Sequence, residues 1–80
     1  MSLPMHVIMT RAAVERVTDS LWEVLLDDDN GSRYTLSTSG HPKWKIVRGT
    51  ATPEFEVWRS GELCSTATSL SELCAVLPKR

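Results

Sequence analysis

Eighty residues leave room for one hydrophobic core and no second independent domain. A hydrophobic share of 41%, with three tryptophans, excludes the low-hydrophobicity, high-charge composition of a disordered chain. A net charge of −1 withholds the broad basic field that drives bulk binding to nucleic acid or anionic membrane.

The first ten residues, MSLPMHVIMT, lack a basic start and carry Pro4 and His6, so they do not read as a secretory leader. Within them His6–Met9 reads as a short apolar edge strand. Thr10–Thr18 supports two patterns. Ala13, Val14 and Val17 fit a helical stripe with Thr10 as N-cap, whereas Val14 and Arg16 against Glu15 and Val17 also alternate. The segment is read as a short helix or an irregular link.

From Ser20 onward the pattern is clearer. Leu21, Glu23 and Leu25 interleave with Trp22, Val24 and Leu26, a strand with one buried face. Asp27–Gly31 (DDDNG) predicts a turn, because Asn-Gly accepts the positive φ of hairpin connections. Arg33–Ser37 returns as a second strand, with Tyr34 and Leu36 on one face and Thr35 and Ser37 on the other. Ser39–Pro42 breaks the chain, Lys43–Arg48 reads as a third strand, and Gly49–Pro53 as a loop.

The remainder reads as a hairpin feeding a helix. Phe55, Val57 and Arg59 alternate with Glu56 and Trp58, Ser60-Gly61 makes a tight turn, and Leu63–Thr68 returns. Ser69-Leu70-Ser71-Glu72 has the form of a capping box. Leu70, Leu73, Cys74 and Leu77 then supply an i, i+3, i+4, i+7 stripe, and Pro78 ends the helix by disfavouring helical angles at the residue before it. Two turns of helix do not persist alone in water, so this one must lie on the sheet. Trp22-Glu23-Val24 and Phe55-Glu56-Val57 echo each other, which strand chemistry alone explains. The predicted fold is therefore α+β: one domain over residues 1–80, a small antiparallel sheet of four to five strands packed against a short C-terminal helix, with a short N-terminal helix as an option.

Chemical motifs are scarce. The acidic run at Asp27–Asp29 has consecutive carboxylates where a calcium loop alternates its oxygen ligands, and Arg33 and Tyr34 stand where ligands should continue. His6, His41, Cys64 and Cys74 lack the short paired spacing of zinc ligands, so no metal or other cofactor is expected. Cys74 falls on the helix stripe, and Cys64 either points away from it or pairs with it under oxidation. No G-x-S-x-G elbow, glycine-rich phosphate loop or H-E-x-x-H occurs, and an enzyme is the least favoured class. Two cysteines and no apolar run of membrane-spanning length point to a reduced, cytoplasmic setting.

Charge is distributed unevenly along the chain. Residues 1–30 set Arg11 and Arg16 against Glu15, Asp19, Glu23, Asp27, Asp28 and Asp29. Residues 31–59 set Arg33, Lys43, Lys45, Arg48 and Arg59 against Glu54 and Glu56. Such asymmetry docks an oppositely charged surface or draws the two halves of the chain together. Trp58 falls on the face of Glu56, opposite Phe55 and Val57, where it is covered by the N-terminal segment or stands as an interface anchor. Trp and Arg dominate binding hot spots, so Trp58 and Arg59 are candidate contacts.

The expected function is a non-enzymatic interaction or regulatory module that binds a protein partner, or itself, through a sheet face or edge. A core this small supplies about 3–5 kcal/mol, and forming a homodimer is one usual remedy. The alternative is a nucleic-acid-binding module built on the basic strand, with Lys43, Lys45, Arg48 and Arg59 on phosphates. Alternation sets Lys43 and Lys45 on the face opposite Trp44 and Ile46, which separates these cations from that ring.

Overall fold

The computed structural model describes residues 3–27, 31–40, 42–49 and 54–78. The centre of the Asp27–Gly31 turn, His41 and most of the Gly49–Pro53 loop lie outside the described residues. Helix α1 (Met5–Thr18) precedes five strands, β1 (Glu23–Leu26), β2 (Tyr34–Ser37), β3 (Trp44–Arg48), β4 (Phe55–Arg59) and β5 (Glu62–Ala67), and helix α2 (Leu70–Val76) follows them. The strands form one antiparallel meander in the order β1-β2-β3-β4-β5. This is the expected α+β architecture, with a longer first helix.

The strand read at His6–Met9 is helix instead. Val7, Thr10, Val14 and Thr18 recur at helical spacing and are the buried side of α1. Thr10 is an interior residue and not an N-cap. Pro4 holds the N-cap position without a side-chain bond, its carbonyl accepting from the amides of Val7 and Ile8 at 3.1 Å each. The two buried threonines close matching relays. Tyr34 Oη donates to Thr10 Oγ1 (3.2 Å), which donates to the His6 carbonyl (2.8 Å). Trp22 Nε1 donates to Thr18 Oγ1 (2.9 Å), which donates to the Val14 carbonyl (2.7 Å). Each aromatic thereby buries its ring without stranding its polar atom.

The sheet turns one face to both helices. Val24 and Leu26, Tyr34 and Leu36, Trp44 and Ile46, Phe55 and Val57, and Ala67 point to that side, where they meet Val7 and Val14 of α1 and Leu73 and Leu77 beside α2. Helix α1 sits over the β1–β2 end, α2 runs along β5, and the helices touch one another.

Local chemistry fixes the second hairpin and its helix. Ser60 (φ 50°) and Gly61 (φ 84°) form the two-residue turn between β4 and β5. The Ser69 hydroxyl accepts from the Glu72 amide (3.1 Å) as N-cap of α2. The return bond differs from the predicted box: Glu72 Oε2 accepts from the amide and hydroxyl of Thr68, both at 2.9 Å, one residue before the cap. The backbone and side-chain bonds from Thr68 hold the Glu72 carboxyl below its ordinary pKa, since both favour the ionised form. Leu77 is extended (ψ 153°), as a residue before proline should be. None of the described helices is long and apolar enough to cross a membrane.

Candidate interaction surface

Because both helices occupy one face, the other face of the sheet has no covering element among the described residues. The strand register lays its residues out in two rows. One row is Glu23, Ser37, Lys45, Trp58 and Leu63, and the other is Leu25, Thr35, Val47, Glu56 and Thr66. Leu25 is 65% exposed and Leu63 51% exposed, while Val47 and Trp58 are half-buried. Leu25, Thr35, Val47, Trp58 and Leu63 form a band with one residue per strand, running straight across β1 to β3 and stepping to the neighbouring row between β3 and β4. It is apolar apart from Thr35.

The band is continuous only because of an irregularity in β5. Val57 pairs with Ser65, but Trp58 pairs with Leu63, so Cys64 is an extra residue in the strand. Strict alternation back from buried Ala67 would have sent Leu63 to the helix side. The bulge moves it beside Trp58 instead, and it leaves Cys64 exposed as a free thiol, with Cys74 a second free thiol on α2.

Trp58 is held in place by its own chain. Its Nε1 donates to Glu56 Oε1 at 3.2 Å, and Lys45 Nζ lies 5.4 Å from the ring centroid. The N-terminal segment does not cover it, because α1 lies on the opposite side of the sheet. Trp58 is thus an oriented ring on an open face, flanked by a cation and an anion.

The five residues singled out in the sequence do not form one patch. Lys45 and Trp58 are cross-strand neighbours on the open face, and Lys43, exposed just before β3, continues the same alternation. Arg48 and Arg59 belong to the helix side, where Arg48 lies over Phe55 (5.2 Å) and Arg59 over Trp44 (5.8 Å). The basic strand therefore offers its open face two lysines, and these share that face with Glu23 and Glu56.

Two features escaped the sequence reading. Met5, Ile8 and Met9 are exposed along the solvent side of α1, with Ala12 one turn on. Their i, i+3, i+4, i+7 spacing signals this stripe once His6–Met9 is taken as helix. An open cleft of about 490 Å³ is lined by Leu21, Trp22, Thr38, Pro42, Trp44 and Pro78, together with Thr18, Ser20, Ser39 and Gly40. Among the described residues, hydroxyls and apolar groups line it with no acid or base, and Trp22 contributes little surface because it is only 4% exposed. Among the described residues no three His, Cys, Asp or Glu side chains gather where a metal ion could sit.

No protein-family model, curated protein or solved structure matches the chain.

Proposed function

We propose that the protein is a small non-enzymatic interaction module that binds a protein partner through its uncovered sheet face, with Trp58 as the anchor. The observation that carries this reading is the one-sided arrangement of the helices, which leaves a band of Leu25, Val47, Trp58 and Leu63 facing solvent. Apolar side chains grouped on an open face are the kind of surface on which another surface packs. An interface core needs an aromatic anchor among near-neutral neighbours, with charged groups kept to its edge. Trp58 supplies the anchor: apolar Val47 and Leu63 adjoin it, while the charged neighbours Lys45 and Glu56 stand beside it on the same inner strands. The nucleic-acid reading loses support on the same face. Stacking platforms surround their rings with cations, whereas here Glu56 accepts the bond from the Trp58 ring and Glu23 lies in the same row as Lys45.

Trp58→Ala tests the proposal. Truncating an anchor aromatic removes at least about 2 kcal/mol of binding, roughly thirtyfold in affinity. In affinity capture from the cell of origin, proteins retained by the wild-type domain are expected to be lost by Trp58→Ala and kept by Arg59→Ala, a change on the other face of the same strand. Both variants should keep the wild-type circular dichroism. Equal retention by Trp58→Ala contradicts the proposal, and salt-sensitive capture of single-stranded oligonucleotide in place of protein transfers the face to nucleic acid.

A further inference from the structure

The open face is complementary to itself, and from this we infer that its occupant is a second copy of this chain; the inference rests on the face being an interaction surface at all. The key is a block of four residues on β3 and β4. Lys45 pairs with Trp58 and Val47 pairs with Glu56, so the apolar residues occupy one diagonal of the block and the opposite charges occupy the other. A two-fold axis lying along the Val47–Trp58 diagonal brings each of these residues to its own counterpart. The same rotation brings Lys45 beside Glu56 of the partner subunit, and Glu56 beside the partner subunit's Lys45, within reach of their side chains. An isologous interface requires self-complementarity of this kind.

The remaining geometry agrees. With strands about 4.8 Å apart and about 3.3 Å per residue along each strand, the diagonal lies about 35° from the strand direction. The strands of the two sheets then cross at about 70°, near the orthogonal class of sheet-on-sheet packing. Leu63, next to Trp58 on the band, stays close to the axis and adds a further apolar contact. In a body of 30 × 24 × 22 Å with 5271 Å² of accessible surface, one of six sides carries roughly 900 Å². A standard interface uses about 800 Å² per partner. Among the described residues, no element of the same chain covers the charges on this face, since both helices lie behind the sheet. Lys45 and Glu56 already stand at the ring of Trp58, so only their side-chain ends need turn to meet the partner.

Charge reversal in trans tests the inference. Sedimentation equilibrium of the full chain from roughly 1 μM to 1 mM is expected to show a monomer–dimer equilibrium. Lys45→Glu places a glutamate against Glu56 of the partner subunit at each of the two contacts, and Glu56→Lys likewise places lysine against lysine. Each variant alone should dimerise at least about tenfold more weakly, because like charges are brought together at both symmetry-related contacts. Mixed in equal amounts, the two variants should recover wild-type affinity as a heterodimer, in which both contacts again join opposite charges. An effect confined to one chain, such as loss of the Lys45–Trp58 stack, gains nothing from mixing.

A strict monomer across the whole range, or a mixture no tighter than the single variants, overturns the inference. If Trp58→Ala still abolishes capture of another protein in that case, the interaction module stands with a different partner. If capture is also indifferent to Trp58, the functional reading fails with it.

Discussion

Ile46→Ala is expected to leave most of the protein unfolded at 37 °C, while Val47→Ala, one residue further along the same strand, leaves the fold intact. Ile46 is fully buried at the centre of the meander, between Leu36 and Val57 and beneath the helices. Truncating such a side chain costs about 2–5 kcal/mol once the residual cavity is included. A core of this size supplies only about 3–5 kcal/mol of net stability, so the loss removes most or all of it. Val47 is half-buried on the open face, with no helix packed over it. Its truncation should cost under about 1 kcal/mol of folding free energy and should instead weaken association. Urea denaturation at low protein concentration separates the two effects. Similar losses of stability for both variants would mean that the two faces are equally covered.

A second large effect is expected at Gly31. This residue has φ of +72°, and an added Cβ would lie 2.7 Å from Pro4 Cγ, 3.0 Å from Val7 Cγ2 and 3.2 Å from His6 Nε2. The Gly31 carbonyl also takes a 2.8 Å bond from His6 Nε2, so the start of α1 is clasped to the entry of β2. Gly31→Ala combines left-handed strain of about 1 kcal/mol with overpacking of about 1–3 kcal/mol. The melting temperature should fall by roughly 10–25 °C in a domain of this size. Gly61→Ala is the internal comparison. Gly61 has φ of +84° but no atom within 4 Å of an added Cβ, so its substitution carries the strain without the clash. Equal losses at the two glycines would show that α1 does not press on this loop.

How far the sequence could be read depended on the range of the interactions involved. The Ser60-Gly61 turn, the Ser69 cap and the stop before Pro78 are decided within a few residues, and each stands where local chemistry puts it. Alternation also assigned the faces of Tyr34 and Leu36 against Thr35 and Ser37, and of Phe55 and Val57 against Trp58, because a pleated strand leaves no other choice. Helix α1 was harder to read. Its buried side mixes threonine with valine, residues that also suit strands, and the threonines are accommodated only by the distant ring groups of Tyr34 and Trp22.

The candidate site was legible only in part. Trp58 stood out as an aromatic on the face opposite the core residues of its own strand. That Lys45 lies over it, 13 positions back in the chain, follows from strand register, which no local pattern specifies. The bulge at Cys64 broke the alternation that would have hidden Leu63 behind the sheet. The apolar band and its flanking charges are therefore a product of tertiary pairing. The five basic and aromatic candidates divide between two faces for the same reason.

Oxidative footprinting of the three tryptophans, with protein diluted and then assembled, tests the central claim most directly. Trp58 and Trp44 are both half-buried but lie on opposite faces of the sheet, and Trp22 is buried in the core. Assembly on the open face should protect Trp58, together with Leu63 and Leu25, and leave oxidation of Trp44 unchanged. Protection of Trp44 with Trp58 still reactive would contradict the account, placing the contact on the helix side of the sheet.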